Sequence, residues 1–141
     1  MTKNSPVITK IAYSYKREHI DLWKLNLDDI PIDKDEIKQS EIIHFPPGSI
    51  GGNHKHPRIE WFIGIGELIL YWLDESGQKH EKFLYSGDGL LLVKIPPYLP
   101  HAVRNISEFK FGILFEYANA KQYDVQKVKV IWWIIFMIKY F

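Results

Sequence analysis

The chain has 141 residues, enough for one domain that buries roughly two-thirds of the surface its unfolded form would expose. Its 18 lysines and arginines stand against 17 acidic residues, a balance that favours neither nucleic acid nor an anionic membrane surface as a partner. With no cysteine, a disulfide framework and any thiolate metal site are excluded, and His, Asp and Glu are left as the metal ligands available.

Residues 1–6 are mostly polar and lack the apolar stretch and small-residue cleavage site of a secretory leader, so a cytoplasmic location is expected. Residues 7–15 and 19–27 are rich in β-branched and aromatic side chains with partial period-two alternation, which predicts two early strands. Residues 28–38 carry Pro31 and seven charged side chains and read as a loop with one helical turn starting near Asp33. The expected organisation is an N-terminal part (1–40) belonging to the same domain, a body (41–130) and an apolar tail (131–141).

From Glu41 onward short apolar runs are punctuated by Gly and Pro about every ten residues, the pattern of an all-β sandwich or barrel. The runs are 41–45, 60–65, 68–73, 80–85, 90–95, 101–105, 109–117 and 125–130, with turn residues between them such as Asp74-Glu75-Ser76-Gly77 and Ser86-Gly87-Asp88-Gly89. They predict a small antiparallel β-barrel, whose closure removes exposed edges and whose interior holds side chains or one small ligand.

The stretch from Gly48 to Glu60 contains His54, His56 and Glu60. Side chains alternate along a strand, so the two histidines share a face, and Glu60 keeps that parity if the strand resumes after Pro57. A further histidine, His101, follows a turn stiffened by Pro96, Pro97 and Pro100, which marks a rim and fixes where the imidazole points. His54, His56, Glu60 and His101 are the candidate metal ligands. Nitrogen and oxygen donors of this kind suit a divalent transition ion, Zn, Fe, Mn, Ni or Cu, without choosing among them. The alternative is a barrel that keeps these residues and binds no ion. His19, His44 and His80 read as surface or hydrogen-bonded side chains.

These two stretches resemble the paired motifs of the cupin superfamily. Gly48, His54-x-His56 and Glu60 follow its first motif, G-x5-H-x-H-x3-4-E-x6-G, although the closing glycine, Gly66, arrives one residue early. Pro96, His101 and Asn105 follow the second, G-x5-P-x-G-x2-H-x3-N, with Tyr98 in place of the middle glycine and Gly89 one residue too far away. The resemblance implies a double-stranded β-helix jelly roll and carries the ligand roles to His54, His56, Glu60 and His101, with two coordination positions open to water or substrate. The words Gly-Asn-His-Lys-His are similar to those of cupin domains attached to capsule and nucleotide-sugar enzymes. This favours a sugar isomerase or epimerase over a dioxygenase, and no catalytic base is assigned.

Two functions from different classes stand: a metal-dependent enzyme acting on a small molecule such as a carbohydrate derivative, and a noncatalytic module that binds or senses a small ligand. Phe62, of the same parity as Glu60, and Tyr98, at the rim, are the candidate substrate-pocket residues; for Tyr98 the competing reading is a packed turn residue. Arg58 either meets an anionic substrate or is simply exposed, and Asn105 is expected to fix the local backbone or to hydrogen-bond a residue behind the ligands rather than to touch substrate. Trp61 should point out of the barrel and, with Trp72, cover an apolar face packed on another chain, so a homodimer is expected. No helix-turn-helix pattern is visible, so no nucleic-acid partner is expected. Residues 130–138 are continuously apolar but too short for a membrane span of about 20 residues, and burial in the protein or its dimer is the expected fate of this tail.

Overall fold

The computed structural model describes residues 5–17, 22–85, 89–121 and 126–127. Among them are twelve strands: β1 (Val7–Ile11), β2 (Tyr15–Arg17), β3 (Leu22–Lys24), β4 (Gln39–Phe45), β5 (Ile50–Lys55), β6 (Glu60–Ile65), β7 (Leu68–Leu73), β8 (Lys79–Phe83), β9 (Leu90–Ile95), β10 (His101–Asn105), β11 (Gly112–Ala118) and β12 (Gln126–Lys127). They form two five-stranded antiparallel sheets, ordered β1-β9-β6-β11-β4 and β12-β5-β10-β7-β8, and the small β2-β3 ribbon. The all-β antiparallel architecture is therefore as predicted, built as two facing sheets of jelly-roll type rather than one closed ring.

Alternation decides what lies between the sheets. On β6, Glu60 and Phe62 face inward while Trp61 and Ile63 face outward; Leu91, Val93 and Ile95 of β9 and Leu114 of β11 also face inward. From the opposite sheet Leu68, Leu70, Trp72 and Val103 meet them, forming one core with Phe45, Leu84 and Leu99. Trp72 thus faces inward, contrary to the expected outer position, because its parity on β7 is that of Leu68 and Leu70.

Trp61 does point outward, but it is only 4% exposed. The chain's own N-terminal segment covers it: Ile11 and Ile30 are buried in the same cluster, with Tyr13, Trp23, Leu25 and Ile32 packed against it. β1 fixes that segment by pairing with β9, Val7 opposite Lys94 through Ile11 opposite Leu90. Tyr13 and Trp23 stack with centroids 4.6 Å apart. The helical turn expected near Asp33 is present as a short 3-10 turn, Lys34–Glu36, whose N-cap carboxylate accepts from the Asp35 backbone N–H at 3.0 Å.

Of the predicted strands, 7–15 is split into β1 and the start of β2, and 19–27 is represented by β3, its first residues and His19 lying outside the described residues. The 125–130 run is represented by β12, which pairs with β5, and the apolar tail also lies outside the described residues. No helix among the described residues is long and apolar enough to cross a membrane.

Candidate metal centre

The site sits at one end of the space between the sheets. β5 and β10 pair with His54 opposite His101, but the next pair is Gly52 opposite Ala102, so Asn53 is the extra residue of a β-bulge. Gly52 and Asn53 have φ of 90° and 60°. A Cβ on Gly52 would lie 3.1 Å from both Ala102 Cα and His101 O, so the bulge requires glycine there. The bulge brings the His54 ring beside that of His101, with centroids 4.9 Å apart.

His56 is not on the same strand, as simple alternation supposed: β5 ends at Lys55, and His56 opens the turn leading to β6. That turn is pinned to the proline-rich rim, where the Tyr98 N–H donates to His56 O at 2.8 Å. The His56 ring lies 5.0 Å from that of His54 and 5.2 Å from that of His101, so the three imidazoles form a near-equilateral triangle. Glu60, the first residue of β6, points into it. One donor atom from each of His54, His56, Glu60 and His101 lies within 4.8 Å of the others, and the group can hold a metal ion.

The donors are pre-set. His56, Glu60 and His101 are 2%, 1% and 2% exposed. His101 Nδ1 lies 2.8 Å from Leu99 O, and since a carbonyl only accepts, Nδ1 carries the proton and the Nε2 lone pair is turned to the centre. There Nε2 lies 3.2 Å from Glu60 Oε1, which is also 2.7 Å from His56 Nε2. None of these three atoms has a hydrogen bond of good geometry. A cation placed between these converging atoms would satisfy all three at once.

Behind the centre lies a buried ion network. Arg58, expected to be exposed, is 4% exposed. Its Nε and Nη2 donate to Glu60 Oε2 at 3.1 and 2.6 Å, Nη2 also donates to Glu116 Oε1 at 2.8 Å, and Nη1 donates to Gln39 Oε1 and to Ala120 O at 3.0 Å. A guanidinium cannot be buried without acceptors, and this one sits where β4, β6 and the end of β11 supply them. Burial alone would raise the Glu60 carboxyl, but His101, His56 and Glu116 beside it outweigh that and hold it below the usual carboxylate range. Burial and then the neighbouring Glu60 push Glu116 up to about 9. Of the two carboxyls, Glu116 is the one pushed toward its protonated form.

A cavity of about 140 Å³ adjoins the donors, lined by His54, Glu60, Phe62, His101, Leu114 and Glu116 among others. Phe62 lies in its wall as its parity predicted, its ring 5.8 Å from that of His101. Tyr98 is 54% exposed at the rim with φ of 64°. His44 is exposed and its ring lies tilted against that of Phe111, and His80 pairs with Asp74 at 2.8 Å, so neither joins the centre. Asn105 fixes backbone both near and far in sequence, donating to Lys110 O at 2.8 Å and to Phe45 O at 3.0 Å. Sequence reasoning missed Gln39 and Glu116. Glu116 did carry a signal, an acidic residue at the inward parity of Leu114 in an otherwise apolar strand.

No protein-family model matches the chain, and no curated protein does. Solved structures do. The dTDP sugar isomerase from Desulfovibrio desulfuricans G20 is similar with a TM-score of 0.66 at 12% identity, over 94% of this chain and 88% of that one. QdtA, a sugar 3,4-ketoisomerase from Thermoanaerobacterium thermosaccharolyticum solved in complex with TDP, has a TM-score of 0.57 at 18% identity, over 88% and 85%. The capsular polysaccharide assembling protein CapF from Staphylococcus aureus is 23% identical with a TM-score of 0.56 over 64% of this chain, which spans only 26% of CapF. At these identities the likeness establishes a shared, cupin-like fold.

Proposed function

We propose that this chain is a metal-binding cupin that binds and acts on a small carbohydrate or nucleotide-sugar derivative, with isomerisation the favoured chemistry. His54, His56, Glu60 and His101 would hold a divalent transition ion. The observation that carries this reading is the convergence of His56 Nε2, His101 Nε2 and Glu60 Oε1 at one buried point, none of them in a hydrogen bond of good geometry. Bound there, such an ion supplies a Lewis acid suited to polarising a carbonyl. The chain's own residues do the rest: the bulge at Gly52 and Asn53 aims His54, Leu99 O fixes the His101 tautomer, and Phe62 gives the cavity an apolar wall against which a substrate can shed water. The fold shared with sugar isomerases supports the carbohydrate choice.

The test is elemental analysis of natively purified protein, followed by Co(II) titration of metal-free protein and a turnover screen on nucleotide-linked keto sugars. A near-stoichiometric ion is expected, with at least a 100-fold loss of Co(II) affinity in His101→Ala. Protein that purifies without metal and takes up no Co(II) would sink the metal assignment. Turnover that survives complete metal removal would show that the ion is not needed for the reaction.

A further inference from the structure

The two oxygens of Glu60 have different neighbours. Oε1 faces His56 Nε2 and His101 Nε2 and has no hydrogen bond. Oε2 receives two N–H groups from one guanidinium, Arg58 Nε and Nη2. An arginine paired with a carboxylate commonly uses its fork on both oxygens. Here both donors close on one oxygen and the other is left bare.

Arg58 is itself held from several directions. A guanidinium has five N–H donors, and the acceptors on Arg58 account for all of them: Nε to Glu60, Nη1 to Gln39 and Ala120 O, Nη2 to Glu60 and Glu116. Gln39 and Glu116 belong to β4 and β11, which pair with each other, so the guanidinium is fixed to a rigid part of the sheet. Its plane, and with it the rotation of the Glu60 carboxylate, is set by residues outside the donor cluster.

We propose that Arg58 is a positioning residue that occupies Glu60 Oε2 and restricts Glu60 to a one-oxygen ligand through Oε1. The inference rests on reading His54, His56, Glu60 and His101 as an ion site. Restricting the carboxylate keeps the protein's donors to four and reserves the remaining coordination positions for substrate or water. Groups that orient ligands in this way typically change metal affinity by about 10- to 100-fold when removed. Lysine is a poor substitute, because a point charge cannot hold one oxygen from two directions.

Co(II) binding to metal-free protein tests this, read by affinity and by the visible absorption per bound ion. That absorption falls as coordination number rises and does not depend on the fraction of protein folded. Arg58→Gln and Arg58→Lys should weaken binding about tenfold or more, and the saturated variants should absorb less per ion as Oε2 joins the coordination. Gln39→Ala, which removes one anchor of the guanidinium and leaves Glu60 untouched, keeps the test open should the Arg58 variants fail to fold; it should weaken binding measurably in the same direction. Variants that bind with wild-type affinity and a wild-type spectrum overturn the role of Arg58 while leaving the ion site standing. Wild-type protein that takes up no Co(II) removes both. A loss of folded protein with an unchanged spectrum per ion would make Arg58 a structural residue only.

Discussion

The two faces of β6 show opposite uses of burial in one six-residue strand. Outward, Trp61 and Ile63 are sealed under the N-terminal segment by apolar side chains, with Lys94 Nζ 6.0 Å from the Trp61 ring centroid at the edge. Inward, Glu60 is equally buried yet surrounded by three histidines, an arginine and a second carboxyl. Burial of the first kind adds stability in proportion to area. Burial of the second kind costs desolvation that its hydrogen bonds and ion pairs offset only in part, so it is weak evidence for stability and better evidence for a site. The outer face should therefore carry the fold, and the inner face the chemistry.

The largest test of that division is Trp61→Ala. Removing a core tryptophan costs about 3–5 kcal/mol, against a total stability of about 5–15 kcal/mol for a typical domain. Urea denaturation should show that loss, while Co(II) affinity measured without denaturant stays within about twofold of wild type, because the Trp61 side chain lies on the face of β6 opposite the donors. A loss below about 1 kcal/mol would mean that the N-terminal segment covers the sheet without securing it. A matching loss of metal affinity would mean that the two faces are coupled.

A smaller effect separates the faces by pH. Glu116 keeps its proton to about 9 in the fold, against an ordinary value of 4.5. Between those values the folded chain binds more protons than the unfolded one, so this group's contribution to stability is full below about pH 4.5 and declines as pH rises toward 9. Glu60, held low, acts on the acid side, where its contribution is lost as pH falls below the usual carboxylate range. The neutral-to-alkaline window therefore isolates Glu116. In chelator-treated protein, Glu116→Gln should flatten the fall in stability from pH 5 to 9 relative to wild type, as read by thermal melts. An unchanged slope would assign the alkaline fall to other groups.

Much of this arrangement was legible in the sequence because alternation and turn chemistry are local. The inward parity of Glu60 and Phe62 and the strands from Glu60 to Asn105 followed from short windows. What was not legible depended on partners far along the chain. Nothing near Val7 says that it will pair with Lys94, so the cover over Trp61 was read as a second molecule. Arg58 looked exposed because, Glu60 apart, its acceptors Gln39, Glu116 and Ala120 are none of them close in sequence. His54 and His56 were placed together correctly, but for a reason that the structure replaces: a bulge and a turn, not one continuous strand, bring the rings together.

Tyr98 gives the effect that most directly weighs stability against function. It stands where the cupin motif has glycine, and it adopts φ of 64°, a conformation that a bulky residue takes only at a cost of about 1–3 kcal/mol. Its ring is 54% exposed, so packing recovers little of that. Tyr98→Gly removes the strain but gives the unfolded chain more freedom, a counter-effect of about 0.5–1 kcal/mol, so the net gain should lie between about 0 and 2.5 kcal/mol. A raised melting temperature together with weaker binding of whatever occupies the cavity would mark a ring held at the rim to touch ligand, with its strain tolerated for that purpose. A raised melting temperature with unchanged binding would leave the tyrosine without a role at the site. A lowered one would mean that its packing against the rim outweighs the backbone cost, and the turn-residue reading would stand.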